Sequence, residues 1–429
     1  MELKENIFDR LGDEPVLCMT GTLTKAIKER NARLLGLTFD HVLWCNTSRR
    51  DLQIVVQPRT NNAGMIKDAK SAVWSHLKHD GRPIAIVYST KAGTVKNTLT
   101  PQLNEMLRSE GSTRRAVGVV GETPPLMKML YIADMTSNDT GPLDIGAVSA
   151  TSTFSCGVDA ARVSIVVHFG LPMSLVDYLQ EMSRAGRKPL PAGCEFAYQS
   201  IVTFSATSFT DLARRAFGPK VVCAEDRAAM LDNLLRVVSF FSIPGKCQHL
   251  LLEREFSDPS TKRCMPAPGG GGAGAAEGVE AGEPVAEIPC STQCAFCNRF
   301  YTERKGVQRI AVVGALDVAF HAGWLGGAEV VSALWKSKNL IWGAAPEGTV
   351  FKRDSDFLFL QLVAAQMLEF RPGVLRAGAT EEELPPLQFN WKMQVGDAGR
   401  MQLRSVPLKM HQLDARWAQI NVLANTPAV

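Results

Sequence analysis

The 429-residue chain contains no G-x-x-x-x-G-K-[ST] segment and no Asp-Glu-x-His segment. The first would cradle the phosphates of a nucleotide with backbone amides and a lysine, and the second would hold Mg²⁺ and polarise an attacking water. Asp13-Glu14-Pro15 is interpreted as a turn and does not replace the second segment. The chain alone is therefore not expected to hydrolyse a nucleoside triphosphate.

Long apolar runs are also missing. The most apolar stretch, residues 310–335, is interrupted by Asp317 and Glu329, and the first residues are charged without an apolar core. These features predict neither a membrane span nor a secretory signal. The net charge is only +4, which does not demand a polyanionic partner and does not exclude one.

Residues 266–289 are rich in Gly and Ala and poor in large apolar side chains. Such a segment cannot bury enough apolar surface to offset the entropy of ordering it, so it is predicted to be a disordered insertion. Its four glutamates are not matched by any Lys or Arg, so the positive charge is concentrated in the remainder of the chain. The remainder thus has a mild preference for anionic partners.

Before this insertion, short apolar runs alternate with helical patterns. The runs are PIAIVYS (83–89), AVGVVG (116–121), DIGAVSAT (144–151) and VSIVVHFG (163–170), and the helical patterns include 94–107, 124–135 and 174–186. Continuous apolar strands separated by helices predict an α/β fold, a parallel sheet with helices on both faces. Functional residues of such sheets gather at the carboxyl ends of strands. Residues 205–256 are predicted to be helical, as is 355–370, and no function is assigned to 304–429.

Four segments in order resemble the RecQ branch of superfamily 2 DNA helicases, over roughly residues 10 to 300. The most specific is SATSTFSCGVDAARVSIVVHFGLPMSLVDYLQEMSRAGRKPLPAG (149–193), which is similar to the joined motifs V and VI of that family. MTGTLTKAIKERNARLLGL (19–37) resembles motif III, and PIAIVYSTKAGTVKNTLTPQL resembles motif IV. The resemblance implies that the predicted sheet is the second RecA-like lobe of a P-loop NTPase.

The resemblance assigns DNA-contacting roles to small hydroxyl residues in three motifs. They are Thr20 and Thr22 in motif III, Ser89 and Thr90 in motif IV, and Thr151 in motif V. Hydroxyl groups and helix-start amides at such positions can contact a phosphate backbone. A helix N-terminal cap explains Thr20 and Thr22, and a strand-to-helix cap explains Ser89 and Thr90, equally simply.

Motifs V and VI supply the residues that the resemblance places near a nucleotide. Gly157 allows close backbone approach, and Asp159 is expected to hold a ribose hydroxyl or to orient nearby arginines. Gln180, Arg184 and Arg187 are spaced so that they can share one face of a helix. Arg187, with Arg184, is the predicted arginine finger, which would stabilise the charge that develops on the γ-phosphate of ATP. The alternative is a solvated arginine pair.

The fourth segment contains cysteines that resemble the zinc-binding subdomain of RecQ proteins. Cys247, Cys264, Cys294 and Cys297 would supply four thiolates for one structural Zn²⁺, with Cys290 as a rival to Cys264 because the Gly-rich insertion separates Cys264 from Cys294. Unrelated core thiols are the alternative. Ten cysteines in a chain without a secretory signal favour a reducing compartment, where spaced cysteines more often bind metal than form disulfides.

The predicted organisation follows from these segments. It comprises a remnant of the first lobe (1–37), an inter-lobe connection (38–81), the second lobe (82–205), a helical zinc-binding subdomain (206–303) and a C-terminal region (304–429). The leading hypothesis is a RecQ-like, ATP-dependent 3′ to 5′ DNA helicase whose Mg²⁺- and ATP-binding first lobe is not contained in the chain. The expected partners are DNA and such a lobe, with no membrane, and the expected location is the nucleus. The other two hypotheses are a non-catalytic DNA-binding pseudo-helicase and a decaying relic.

Overall fold

The computed structural model describes three groups of residues. The first is 18, 20, 22–36, 38–39 and 49; the second is 51–256 without 80–81, 138–140, 155–158, 188–196, 217–223 and 243–246. The third is 308–310, 336, 359–360, 363, 368–373, 390–395 and 418–422. No helix within these residues is long and apolar enough to cross a membrane.

A six-stranded parallel sheet is the centre of the structure. Its strands are β1 (Gln53–Pro58), β2 (Ile84–Ser89), β3 (Arg115–Val119), β4 (Ile145–Ala150), β5 (Val163–Phe169) and β6 (Gln199–Phe204), in the order β1-β6-β5-β2-β4-β3. All five pairings are parallel. This confirms the predicted α/β fold, and the four apolar runs form β2 to β5.

Helices connect the strands and cover the sheet. They are α1 (Lys25–Leu35), α2 (Asn62–Leu77), α3 (Thr100–Ser109), α4 (Pro125–Thr136), α5 (Leu175–Met182), α6 (Ala206–Ala216), α7 (Ala224–Ser242) and α8 (Gln248–Glu255). A short helical turn, Ala92–Thr94, and a π-helical segment, Val95–Leu99, lead into α3. A 3-10 turn, Ser152–Phe154, follows β4.

The two faces of the sheet have separate apolar cores. Along β2, Ile84 and Ile86 belong to one core, whereas Ala85 and Val87 belong to the other. Every residue of β2, β4 and β5 is buried. Alternate side chains of a strand point to opposite faces, so both faces must be covered by helices. The continuous apolar runs in the sequence have this cause.

The sheet extends beyond the predicted second lobe. β1 pairs with β6, and α2 packs against β2, β5 and β6, although both β1 and α2 lie in the predicted connection 38–81. In β1 buried and half-buried residues alternate, so it lacks the continuous apolar run that indicated the central strands. The domain boundaries themselves stay predictions.

Two short antiparallel pairs lie towards the end of the chain. β7 (Gln308–Ile310) pairs with β10 (Ala418–Val422), and β8 (Leu368–Gly373) pairs with β9 (Asn390–Val395). The helix predicted for 355–370 is therefore wrong at its end, because Leu368 begins a strand. Residues 359, 360 and 363 are helical, and their side chains are buried in the larger core.

Candidate functional site

The carboxyl ends of neighbouring strands bring distant residues together. β2 ends at Ser89, β5 leads into Gly170, and β4, on the other side of β2, leads into Thr151. Ser89, Thr90 and Gly170 line one cleft at this edge. Open α/β sheets bind their ligands at the carboxyl edge. The structure thus places Ser89, Thr90 and Thr151 at one edge, and their DNA-contacting roles stay predictions.

Helix α6 fixes the turn after β2. The Arg215 guanidinium donates a hydrogen bond from Nη2 to the carbonyl oxygen of Thr90 at 2.5 Å, and Lys91 Nζ lies 2.5 Å from the Asp211 carboxylate. Burial lowers the pKa of Arg215, and the charge of Asp211 opposes that change. The positive charge beside the cleft is therefore anchored by α6.

Thr151 begins the 3-10 turn after β4. Its backbone N–H donates to the Val119 carbonyl at 3.0 Å, and its hydroxyl lies 2.8 Å from that of Thr153. These contacts hold the Thr151 side chain at the sheet edge. Gly157, the predicted close-approach residue of motif V, lies outside the described residues.

Gln180 on α5 contacts one of the predicted motif III threonines. Its Nε2 donates to the Thr22 hydroxyl at 2.8 Å, and the Thr22 backbone N–H lies 3.2 Å from Thr20 Oγ1. Thr24, two residues later, caps α1 by accepting from the Ile27 N–H. The structure thus joins three predicted site residues that are about 160 positions apart in the chain. Neither Thr20 nor Thr22 is the residue that caps α1.

The two predicted finger arginines have different environments. The Arg184 residue is only 8% exposed, whereas the Arg187 side chain is 32% exposed. Arg187 Nη1 pairs with Asp159 Oδ1 at 2.8 Å, and its Nε donates to the Ser183 carbonyl at 3.3 Å. Asp159 therefore contacts an arginine, as one of its two expected roles requires. Arg187 is the more accessible guanidinium of the pair.

The proposed single helical face for Gln180, Arg184 and Arg187 is not what the structure shows. α5 ends at Met182, and the following turn contains Gly186 with a positive φ of 69°. Only Gln180 is on the helix, and the two arginines lie on the turn after it. The helix is shorter than the pattern 174–186 suggested because the Arg184 and Ala185 N–H groups bond carbonyls three residues back, and the Gly186 N–H bonds the Val163 carbonyl at the start of β5.

Arg49 contacts the same turn and was not selected from the sequence. Its Nη2 lies 3.0 Å from the Ala185 carbonyl and 2.8 Å from the Gly186 carbonyl. Asp51 binds this guanidinium through both carboxylate oxygens, at 2.8 and 2.6 Å. Burial would raise the pKa of Asp51, but the hydrogen bond and charge of Arg49 outweigh burial and lower it. The one sign of this contact in the sequence is the Arg-x-Asp spacing of Arg49 and Asp51 before β1. Such pairs are common on protein surfaces, so the spacing alone does not indicate a functional residue.

A buried polar pair ties α5 to the sheet. His168 Nε2 on β5 lies 2.9 Å from Glu181 Oε2 on α5, and both side chains are buried. The Tyr88 ring stacks on His168 with centroids 5.7 Å apart. Both members of the pair lie within the segment that resembles motifs V and VI, but their contact follows from the packing of α5 on β5, which the sequence does not show.

Only one of the predicted zinc ligands is described. Cys247 is buried immediately before α8, whereas Cys264, Cys290, Cys294 and Cys297 lie outside the described residues. Within the described ranges no group of three or more His, Cys, Asp or Glu is arranged to hold a metal ion. The zinc site therefore stays a prediction.

Comparisons with known proteins match this lobe. Residues 68–189 match the helicase conserved C-terminal domain. The chain is 27% identical over 245 residues to ATP-dependent DNA helicase Q-like 4B of Arabidopsis thaliana, which covers 55% of the chain and 20% of that protein. It is 25% identical over 254 residues to ATP-dependent DNA helicase RecQ of Pasteurella multocida, and the match covers 58% of the chain and 35% of that protein.

Over this lobe the chain is similar to DNA helicases of the RecQ family. It spans about a fifth to a third of the length of these two relatives. Among solved structures, the E. coli DEAD-box protein SrmB matches with a TM-score of 0.28 and 21% identity, covering 38% of the chain and 81% of that structure. The matched domain contains the cleft residues Ser89 and Thr90, together with Asp159 and the turn with Arg184 and Arg187.

Proposed function

We propose that this chain supplies the second lobe of an ATP-dependent 3′ to 5′ DNA helicase, acting with a first lobe that binds ATP and Mg²⁺. The contact between Gln180 and Thr22 carries the proposal, because it joins a motif VI residue to the segment that resembles the first lobe. In this role Arg187 would stabilise negative charge on the γ-phosphate. Asp159 would hold the Arg187 guanidinium before ATP is bound. ATP and Mg²⁺ supply the phosphoryl chemistry. A nuclear location is part of the proposal.

DNA binding is the part of this proposal that the chain can test directly. The cleft residues Ser89 and Thr90 and the nearby Thr151 offer hydroxyl groups beside the anchored charges of Lys91 and Arg215. Contacts with phosphates release counterions, so the affinity should fall as salt concentration rises. Fluorescence anisotropy with a labelled single-stranded oligonucleotide at several salt concentrations measures this dependence.

A threonine pair gives a matched comparison for the DNA experiment. Thr151→Val removes a hydroxyl at the carboxyl edge and should weaken DNA binding about fivefold, as expected for one lost hydrogen bond. Thr136→Val removes an exposed hydroxyl that donates to backbone carbonyls at the end of α4, which is bonded to the amino end of β4 and not to its carboxyl end, and should leave binding unchanged. Equal affinities of the two variants, or binding insensitive to salt, would contradict the proposal.

The second candidate function is a DNA-binding module without catalysis. The absence of a G-x-x-x-x-G-K-[ST] segment from the 429 residues favours it. Both candidates predict salt-dependent DNA binding, and both predict no DNA-stimulated ATPase for the chain alone. ATPase assays with and without DNA check the second expectation. Turnover that disappears in Arg187→Ala would show instead that the chain completes an ATPase site by itself.

A structural Zn²⁺ is also part of the proposed function. Four thiolates are the ligand set that closed, structural zinc sites prefer, and Cys247 would provide the first of them from the start of α8. Such a site would stabilise the helical region after the sheet and leave no open position for a reacting water. Metal analysis of cysteine variants tests this part separately from DNA binding.

A further inference from the structure

The turn after α5 presents carbonyl groups that the helix cannot satisfy. α5 ends at Met182, so the carbonyl groups of the residues that follow lie outside the helix and have no intrahelical partners. The Arg49 guanidinium faces three carbonyls of this turn. They belong to Ser183 at 3.5 Å, Ala185 at 3.0 Å and Gly186 at 2.8 Å. A cation at the carboxyl end of a helix also complements the helix dipole.

Arg49 is itself held in one orientation. Its Nε and Nη2 donate to the two oxygens of Asp51 at 2.8 and 2.6 Å, a bidentate pair that fixes the plane of the guanidinium. The Leu52 N–H donates to the Arg49 carbonyl, and β1 starts one residue later. The Arg49–Asp51 pair therefore lies in the turn that leads directly into β1, an edge strand of the sheet. A lysine could not reproduce it, because an ammonium group has no planar fork.

The close fit at Gly186 shows how tightly the turn approaches Arg49. A Cβ at Gly186 would lie 2.8 Å from Arg49 Nη2 and 2.7 Å from Tyr198 Cδ2. Real Cβ atoms essentially never make contacts under 3.0 Å, so a side chain here would displace Arg49 or Tyr198. The backbone of Gly186, with its positive φ, is thus shaped around the guanidinium.

The Ser183–Arg187 turn also determines the position of the Arg187 guanidinium. Arg187 Nε donates to the Ser183 carbonyl, which also lies 3.5 Å from Arg49 Nη1. Within the described residues, displacing this carbonyl would remove one of the two side-chain contacts of Arg187 and leave the exposed pair with Asp159. We propose that Arg49, held by Asp51, is a positioning residue that fixes the Ser183–Arg187 turn and thereby the Arg187 guanidinium. The functional meaning of this inference rests on the proposed role of Arg187.

The side-chain NMR signal of Arg187 tests the inference on the full chain. The Nε–Hε cross-peak of Arg187, assigned by its loss in Arg187→Lys, reports the hydrogen bond to Ser183. In Arg49→Lys and in Asp51→Asn the peak should shift, and Hε exchange with solvent should accelerate at least about tenfold, as expected when a bond to a charged donor is weakened. Arg59→Lys is the control, because Arg59 forms a comparable ion pair with Asp68 at the other end of β1.

Chemical rescue separates positioning from general loss of structure. In Arg49→Ala, millimolar guanidinium ion should restore the Arg187 signal, whereas ammonium ion should not, because only the planar ion can bridge Asp51 and the turn carbonyls. Protection of backbone amides in β2, β5 and β6 shows whether the sheet remains folded. If Arg49→Ala loses that protection, Arg49→Lys and Asp51→Asn decide the question.

Two results would overturn the inference. One is an Arg187 signal in Arg49→Lys and Asp51→Asn that matches the wild-type signal. The other is equal restoration of Arg49→Ala by ammonium and guanidinium. DNA binding measured on the same samples keeps the two proposals apart. A chain that does not bind DNA contradicts the proposed function, whatever the Arg187 signal shows, and the Arg187 signal decides the role of Arg49.

Discussion

His76 is a buried polar residue between α2 and the sheet. Its ring nitrogens lie 3.2 Å from Ser164 Oγ and 3.3 Å from Gln199 Oε1. Burial lowers the pKa of His76 to about 4; the hydrogen bond with Gln199 opposes this change, and the charge of His79 adds to it. The folded protein therefore holds His76 neutral at a pH where the unfolded chain would protonate it.

The sign of the resulting pH dependence follows from this difference. As the pH falls from about 6.5 towards 4, the unfolded chain binds a proton at His76 that the folded chain does not, so stability is lost. Between pH 7 and pH 5 His76 should contribute a loss of about 2 kcal/mol in the free energy of unfolding. Urea denaturation at both pH values should show a smaller loss for His76→Gln than for the wild type. Equal losses would contradict the assignment.

Alanine substitutions at three glycines distinguish the effect of backbone strain on stability from that of steric contact. Gly186 has a positive φ and no room for a Cβ, Gly111 has a positive φ of 72° and open space, and Gly93 has open space in a helical turn. Urea denaturation should show that Gly186→Ala costs the most, roughly 2 to 4 kcal/mol, and Gly111→Ala about 1 kcal/mol. Gly93→Ala should be neutral or stabilising by up to about 1 kcal/mol. A smaller cost at Gly186 than at Gly111 would mean that the turn relaxes away from Arg49.

At the scale of elements, the helix after β2 is widened where it packs on the sheet. In the π-helical segment Val95–Leu99 the Thr100 N–H bonds the Val95 carbonyl, and the Thr100 hydroxyl donates to the same carbonyl at 2.8 Å. Thr100 Oγ1 also lies 2.5 Å from Ser149 Oγ on β4. π-Helical turns occur often at functional sites, and this one begins six residues after Ser89.

The hydroxyl pair should couple α3 to β4. Thr100→Val and Ser149→Ala each remove one hydroxyl, and each should cost about 1 kcal/mol in the free energy of unfolding. The double variant should lose about 0.5 to 1 kcal/mol less stability than the sum of the two single variants. Once one hydroxyl has been removed, the second substitution no longer breaks the hydrogen bond between them. Thermal or urea denaturation of the four proteins measures the coupling. Strict additivity would show that the two hydroxyls do not interact.

The strands and helices that could be predicted from the sequence are those whose local pattern of apolar and polar residues determines their structure. β2, β4 and β5 are buried on both faces, so they appear as unbroken apolar runs. The edge strand β1 alternates and lacks that signal. Arg184 and Arg187 were predicted from the resemblance to motif VI, but the end of α5 depends on how the following turn packs, with the Gly186 N–H bonded to Val163. Arg49 was missed because its contacts cross more than 130 positions.

For the whole molecule, the larger core joins parts of the chain that the sequence analysis treated separately. Phe359 lies against Phe209 of α6 with ring centroids 6.0 Å apart, and Leu360 and Val363 are buried in the same core as the sheet. Residues beyond the Gly-rich insertion therefore help to cover the helicase lobe. The pattern of residues 355–370 predicted a helix, but it did not indicate that this helix packs on the sheet domain.

The predicted zinc site can be tested on the whole chain through its metal content. Purified protein should contain about one equivalent of Zn²⁺, because four thiolates form a closed tetrahedral site. Cys247→Ser should lower the zinc content and the thermal stability, since metal binding contributes to folding free energy. Cys18→Ser, which changes an exposed cysteine outside the predicted set, should change neither. Comparing Cys264→Ser with Cys290→Ser identifies the remaining ligand, because only the true ligand's loss should release zinc. Protein without zinc, or equal zinc in Cys247→Ser and the wild type, would contradict this site and leave Cys247 as a buried core thiol next to α8.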